Sequence, residues 1–463
     1  MKVAIIGGGI SGLSSAFYVK RLAREKGKDI EVALFEEATT LGGKIKTEHR
    51  EGFVIERGPD SFVKRKPEAL ELIKYLGLEE DVVSNQTGQS YILKGDQLHP
   101  IPKGSVMGVP TNIRPLLDSE LLSMDGKIRA LNEPFIPPFP EFEDMSVGEF
   151  FKARFGEEVV DHIISPLLSG IYAGDIYKLS LQIALPQFIA IEKQYGGLIK
   201  GLSQTAPKKK TSQFATLRGG LRQLVDALEQ VLKRDGVSVY TGTRVEAIEI
   251  GDQSYSLSLS NGGTALADHV IFCVPHRITE ALLPYVDYLH REHAAPDTSV
   301  ATIAMTFNQE DVQVEHEGTG FVVSRQEPKT ITASTWTHMK WAHVAPKDKA
   351  IIRCYVGKAG DDHMVDQSDE ELVHIVLQDV KSVMTIKEQP HFSVVTRWPQ
   401  AMPQYAVGHR QWLATARQRL KLDYPNVHLA GASYDGVGIP DCIKQAKAVA
   451  EEIVTIKETE MSR

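Results

Sequence analysis

Residues 2–36 read KVAIIGGGISGLSSAFYVKRLAREKGKDIEVALFE, and the fold follows from how they divide. Val3, Ile5 and Ile6 make a short buried strand, which Gly7, Gly8 and Gly9 break. Residues 11–26 then carry a helical pattern with Leu13, Ala16, Phe17 and Leu22 among its apolar positions, and Gly27 is a stop signal. Residues 31–35 are a second strand. Two short apolar strands around one helix form a βαβ unit with parallel pairing. The glycines sit where that unit turns, in the spacing Gly7-x-Gly9-x-x-Gly12. The first permits a tight turn, the second lets backbone approach a pyrophosphate, and the third lets the helix lie against the strand. Free N–H groups at the helix start, around Ile10 and Ser11, then face the phosphates with a favourable dipole. Glu36 ends the second strand, where a carboxylate accepts hydrogen bonds from a ribose diol, and Glu37 follows it. A glycine-rich turn without a ligand would not require an acid at that place.

Two further elements select FAD over NAD. Leu41-Gly42-Gly43-Lys44-Ile45 is a second glycine turn that runs backbone along the rest of a longer cofactor. Near the end of the chain, residues 427–429 are a strand, residues 431–438 a loop, and Pro440 opens a helix with Ile443, Ala446, Ala450 and Ile453 on one face. The N-terminus of that helix, Gly438-Ile439-Pro440-Asp441 after Gly431, is placed to direct its dipole at the flavin pyrimidine edge, where reduced flavin carries charge. A simple helix cap is the plainer alternative for this loop.

Between these blocks the pattern changes. Gly219-Gly220 precedes an amphipathic helix with Leu221, Leu224, Val225 and Leu228. Strands are expected at residues 237–240, 244–250 and 255–259, a hairpin at 261–263, and a buried strand at 270–274 closed by Pro275. Residues 300–306 and 351–356 are strand-like, whereas residues 101–210 mix helical pieces with loops rich in Pro134, Pro137, Pro138 and Pro140. The expected fold is α/β: an FAD-binding Rossmann-like domain of the glutathione-reductase type, a mixed β-sheet substrate domain and a helical insert. Residues 1–60, 211–285 and 400–463 are assigned to the first, 61–100 and 286–399 to the second, and 101–210 to the third. The run Lys208-Lys209-Lys210 reads as a solvated loop.

The chain has 463 residues, 42% of them apolar and 24% charged, with a formal net charge of −8. That is ordinary for a globular protein of two or three domains and argues against bulk nucleic-acid binding. Cys273, Cys354 and Cys442 lie far apart without metal-ligand spacing, so reduced thiols, no metal and a cytoplasmic setting are expected. No signal peptide or membrane-spanning run is expected, which leaves peripheral membrane contact open.

Taken together, the motifs resemble the FAD-dependent amine oxidase–phytoene desaturase–protoporphyrinogen oxidase superfamily. Residues 7–12, Glu36, 41–45, Thr243-Arg244-Val245 and 430–441 match its FAD signatures in order and span the chain. Four stretches narrow the resemblance to the porphyrinogen oxidases: Glu56-Arg57-Gly58-Pro59-Asp60-Ser61-Phe62, residues 169–175 (SGIYAGD), residues 216–221 (TLRGGL), and Arg397-Trp398-Pro399-Gln400 through Pro403-Gln404-Tyr405. The chain is most similar to the soluble Gram-positive branch, the coproporphyrinogen III oxidase type. Lys44 stands where the wider superfamily has Arg after the double glycine, and no aromatic amine cage is assignable.

The resemblance implies a non-covalent FAD, with Val245 meeting the adenine through its backbone and Trp398 near the flavin. It implies a porphyrinogen substrate that loses six electrons and six protons, two electrons per flavin turnover, by hydride transfer from a meso carbon to flavin N5. Dioxygen then reoxidises the flavin and yields peroxide, and hand-over to a ferrochelatase would follow. No acid–base residue is assigned, since aromaticity drives the reaction. Propionates call for cationic anchors, and Arg57, Lys64, Arg65 and Lys66 are the candidates, with a solvated basic loop as the alternative. Cys442 beside the loop is expected to be a buried thiol rather than a covalent flavin link, Cys273 a small hydrophobe, and His162 and His276 structural without partners. The rivals are protoporphyrinogen IX as substrate, an amine oxidase or carotenoid desaturase, a non-redox flavoprotein such as a mutase, and a flavin-binding partner protein without turnover.

Overall fold

The computed structural model describes residues 1–139, 143–205, 213–251, 254–291 and 296–455; the tri-lysine run and Pro140 lie outside them. Five short strands form one parallel sheet in the order Ser238–Tyr240, Glu31–Phe35, Lys2–Ile6, His269–Phe272, Val427–Leu429. Their near-continuous apolar character fits a sheet covered on both faces. On one face lie the helices Ile10–Glu25, Arg222–Arg234 and Ile439–Thr455, which close a core around Leu13, Leu34, Leu224, Ile443 and Ala450. On the other lies an antiparallel three-stranded sheet of Val245–Ile250, Tyr255–Leu259 and Thr264–Ala267. The strands of the parallel sheet thus come from three separated stretches of chain.

A mixed seven-stranded sheet stands beside it, ordered Ser393–Met402, Thr298–Asn308, Lys349–Val356, Ile331–Trp336, Gly320–Val323, Tyr91–Lys94, Gln97–Pro100. Only Gly320–Val323 with Tyr91–Lys94 is parallel; the other pairs are antiparallel. Residues 61–84, assigned by sequence to this sheet domain, pack elsewhere. Phe62–Val63 and Val82–Ser84 pair with Phe214–Leu217, and Phe62, Ala69, Leu72 and Ile73 join the core of the parallel-sheet domain. The apolar face of Glu68–Tyr75, with Ala69, Leu72 and Ile73, is buried in that core, so these residues pack with the parallel sheet.

The helical region has its own core around Phe150, Phe151, Phe155 and Phe188. Arg154 is fully buried there, yet paired with Glu133 and Glu192 and bonded to the carbonyls of Ile136 and Pro137, so its charge is compensated. The helix Ser165–Tyr172 ends on Ala173 in the left-handed conformation (φ 49°). Ala173 accepts a hydrogen bond from Ala359 N (2.8 Å), and Tyr172 O accepts one from Gln404 Nε2 (3.2 Å). That turn therefore joins the helical region to both neighbours.

Candidate active site

The first strand–helix turn forms a cradle that only glycine can line. Gly7 has φ 106°, and a Cβ on Gly12 would fall far inside contact distance of the Gly7 carbonyl oxygen. Gly42 N donates to Gly8 O (2.8 Å), which draws the second glycine turn against the first, and a Cβ on Gly43 would lie 3.2 Å from Gly9 Cα. No side chain caps the helix at Gly9, so the N–H groups of Ile10, Ser11 and Gly12 keep their capacity to bind an anion. The Glu36 carboxylate accepts from Gly8 N (2.5 Å) and Ala38 N (2.8 Å), which fixes it at the strand end. Glu37 turns outward and pairs with Arg244 (3.2 Å). Thr243 N donates to Glu36 O (2.9 Å), bringing Val245, at the start of its strand, beside the same acid. These donors and that carboxylate suit the pyrophosphate and ribose of a dinucleotide.

The C-terminal loop closes over the cradle. Gly431 has φ 132°, and a Cβ there would come 3.4 Å from Ser11 Oγ. Tyr405 is buried, donates its hydroxyl to Ala432 O and accepts from Gly436 N (3.1 Å); burial holds its phenol well above the ordinary range. Gly436 and Gly438 accommodate the Asp441 side chain, which a Cβ on either would approach to 2.9 and 2.8 Å. Ile439 and Pro440 are buried at the helix start. The Cys442 thiol is buried and pushed up by burial to about 11, a direction that disfavours the thiolate. Burial likewise raises Cys273 to about 12, and its sulfur lies 3.8 Å from Ser15 Oγ just past the end of its strand.

The loop of residues 56–61 links the two sheets. Gly58 fits between the Lys44 carbonyl and the Trp398 ring, which a Cβ would approach to 3.5 Å. Trp398 Nε1 donates to Arg57 O (2.9 Å), anchoring the ring to this loop, and the Lys46 ammonium lies 5.3 Å above it. Pro59, which cannot donate, leads into Asp60. Asp60 pairs with Lys340 (2.7 Å) and accepts from Ser61 Oγ (2.7 Å). Burial alone would raise its pKa; the charges of Lys340 and Arg353, with hydrogen bonds from Lys340 and Ser61, outweigh this and hold it far below the usual carboxylate range.

Glu56 goes the opposite way. Burial pushes it up to about 7, despite hydrogen bonds from Leu221 N (2.6 Å) and Thr47 Oγ1 (2.9 Å). A raised carboxyl pKa costs nothing below the unfolded value of about 4.3 and progressively lowers stability up to about 7, above which the penalty is constant. Glu56→Gln is therefore expected to flatten the pH dependence of unfolding between pH 4.5 and 7. It should leave the protein about 1–3 kcal/mol more stable than the parent at pH 8. Urea midpoints across that range check this, and an unchanged slope would refute it.

The predicted anchors separate. Arg57 donates to Thr396 Oγ1 (2.9 Å) and lies 3.5 Å from Glu48, and Lys64 donates to Ser84 Oγ (2.9 Å), so both tie strands together. Arg65 is exposed. Lys66 is held by Asp441, with Nζ 2.5 and 2.6 Å from its two oxygens. Lys44 reaches across to the Ala401 carbonyl, and desolvation lowers its pKa. His276 is not partnerless as expected: the Arg291 guanidinium lies 2.7 Å from its Nδ1, and burial lowers its pKa to about 3. Arg291 also donates to Gln404 O (3.1 Å) and pairs with Asp297 (3.5 Å), a buried cluster that sequence reasoning missed because its members are chain-distant and share no motif. Burial also lowers His162, whose Nδ1 has no hydrogen-bond partner among the described residues. Among those residues there are three free cysteines and no group of ligands able to hold a metal.

A glycine cradle under a parallel sheet, facing a second sheet and overlaid by a C-terminal helix start, defines a flavin-dependent oxidoreductase of the two-domain type. The chain belongs to the flavin containing amine oxidoreductase family, whose model matches residues 10–454, and FAD is its cofactor. It is 48% identical to the coproporphyrinogen III oxidase of Bacillus subtilis (strain 168), over 98% of both chains. It is 41% identical to the coproporphyrinogen III oxidase of Staphylococcus aureus (strain NCTC 8325 / PS 47), again over 98% of each. A crystal structure from Exiguobacterium sp. 255-15, assigned as a protoporphyrinogen oxidase, superposes with a TM-score of 0.89 at 39% identity over 98% of both chains.

Proposed function

We propose that this protein oxidises coproporphyrinogen III to coproporphyrin III in haem biosynthesis, with dioxygen as the final acceptor. The observation that carries the reading is near-half identity, along essentially the whole chain, to a protein named for that substrate. When bound, FAD supplies a two-electron acceptor, so loss of six electrons and six protons takes three rounds and converts three dioxygen molecules to three of hydrogen peroxide. The chain positions the reactants. The glycine cradle and Glu36 hold the dinucleotide, the loops of residues 56–61 and 431–441 seat the flavin, and the turn at Tyr172–Ala173 borders the space between domains. No acid–base residue is assigned, because aromaticity of the product drives the reaction. Lys66, with Arg65 beside it, is the propionate anchor of this proposal; Arg57 and Lys64 serve the fold.

The experiment is a pair of aerobic assays with coproporphyrinogen III and protoporphyrinogen IX, following porphyrin fluorescence and peroxide. A kcat/KM at least tenfold higher for coproporphyrinogen III is expected. The reverse preference would keep the chemistry and move the substrate. Fluorescence no faster than without enzyme would refute the porphyrinogen reading in favour of amines, polyenes or a non-redox role. We place the reaction in the cytoplasm, with the product passing to a ferrochelatase. No helix of the described residues is long and apolar enough to cross a membrane; peripheral contact, if made, would use the exposed Met124, Ile128 and Phe135 of the helical region.

A further inference from the structure

The geometry points to a second role for Asp441: it is an internal carboxylate that occupies the propionate anchor Lys66 until a substrate propionate replaces it. This rests on the proposed porphyrinogen reading and deepens it. Lys66 Nζ lies 2.5 and 2.6 Å from the two Asp441 oxygens, the geometry an ammonium would adopt on any carboxylate. The pair is not sealed in the fold, because the Lys66 side chain keeps 37% of its exposure and that of Asp441 19%. Asp441 does not depend on Lys66 for its place. It sits in the first turn of the helix Ile439–Thr455, where the free backbone N–H groups favour an acid, and its side chain rests against Gly436 and Gly438.

Two observations put this pair at the substrate space rather than in a plain surface tie. The buried Tyr172 phenol, raised chiefly by desolvation, is acted on by the charges of both Asp441 and Arg65, which places the end of the helix Ser165–Tyr172 near them. Arg65 is exposed beside it. Lys66 is paired with Asp441, while Arg65, next to it in the chain, makes no ion pair among the described residues, which leaves one cation for a further negative group. A propionate that binds Lys66 exchanges one carboxylate for another of the same chemistry. Lys66 is thereby held extended and ordered before substrate arrives, and the cation is never left unpaired when the site empties.

The test is a cycle of Lys66→Met, Asp441→Asn and the double variant, each as FAD-loaded holoenzyme with its flavin content measured. Kinetics with coproporphyrinogen III are read as KM and kcat separately. Binding of the product coproporphyrin III is read by fluorescence quenching, which needs no turnover and survives any loss of flavin reactivity. Lys66→Met is expected to raise both KM and the product Kd about tenfold. Asp441→Asn, freed of its competitor, is expected to lower both by about two- to fivefold, and to have no such effect once Lys66 is Met. If Asp441→Asn raises the product Kd or leaves it unchanged while Lys66→Met raises it, the exchange is overturned and Lys66 remains an anchor. If Lys66→Met leaves both constants unchanged, the anchor itself falls, and with it the exchange, while the porphyrinogen chemistry is judged by the two-substrate assay alone.

Discussion

Gly12→Ala is expected to purify with its flavin occupancy reduced at least tenfold and its thermal midpoint lowered. The new methyl would overlap the Gly7 carbonyl oxygen, a backbone atom that cannot swing aside as a flexible side chain can. Gly7 is itself fixed from both sides: its N–H donates to Phe35 O (2.8 Å), and its φ of 106° suits glycine alone. Relief must therefore come from sliding the helix Ile10–Glu25 away from the sheet, which lifts its open N-terminus off the pyrophosphate position. Overpacking of this kind costs about 1–3 kcal/mol or more, and each 1.4 kcal/mol is a factor of ten in affinity. The ratio of flavin to protein absorbance, and the rise in midpoint when FAD is added back, measure it. Gly27→Ala is the control, since Gly27 also has positive φ (63°) but nothing within 4 Å of a new Cβ. It should lose some stability and keep its flavin. Equal flavin content in Gly12→Ala and the parent would show that the cradle does not position the cofactor.

The parts of the molecule visible in the sequence are those where local pattern and chemistry coincide. The strand Glu31–Phe35 and the strands Tyr255–Leu259 and Val427–Leu429 fall where the apolar runs put them, and the first helix is shifted by one residue, Ile10–Glu25 against the expected 11–26. Gly7, Gly9, Gly12 and Glu36 could be read together because a dinucleotide imposes their spacing within one βαβ unit. The contacts that complete the site obey no such rule. Lys340 reaches Asp60 across 280 positions, Lys66 reaches Asp441 across 375, and Arg353 donates to the Gly58 carbonyl across 295. The Lys340 and Arg353 contacts arise only when the seven-stranded sheet is set against the parallel one, and the Lys66 contact only when the segment of residues 61–84 packs against the helix Ile439–Thr455. For the same reason Arg57, Lys64 and Lys66 look alike in a list of cations, and only packing separates Arg57 and Lys64, bonded to Thr396 and Ser84 of neighbouring strands, from Lys66, bonded to Asp441 at the start of the C-terminal helix. The packing of residues 61–84 depends on the same kind of long-range contact. Phe62 and the apolar face of Glu68–Tyr75 are equally suited to either core, and burial against Phe214–Leu217 and the nucleotide domain decides the matter.

Asp60→Ala is expected to be the most destabilising single change to the loop that joins the two sheets, by about 3–5 kcal/mol. The side chains of Asp60 and Lys340 are only 13% and 14% exposed, and Arg353 is 2% exposed, so two cations would be left facing a methyl group in a poorly solvated place. Truncation at Lys340 should cost less, because Asp60 would keep Ser61 Oγ as donor and Arg353 as a nearby charge. A double Asp60→Asn, Lys340→Met variant should recover part of the loss of Asp60→Asn alone, since the worst term in that variant is an uncompensated ammonium. The sign of the pH effect follows from the depressed carboxyl. Its stabilisation is fully present above the ordinary aspartate value of about 3.9 and is lost as pH falls toward the folded value below it. The parent should therefore lose stability on acidification below about pH 4 more steeply than Asp60→Asn. Urea midpoints at pH 3.5 and pH 7, with FAD saturating in both, measure the difference. A loss under 1 kcal/mol for Asp60→Ala at pH 7 would mean that water already reaches these charges, and that Gly58 and Trp398 are held in place by packing alone.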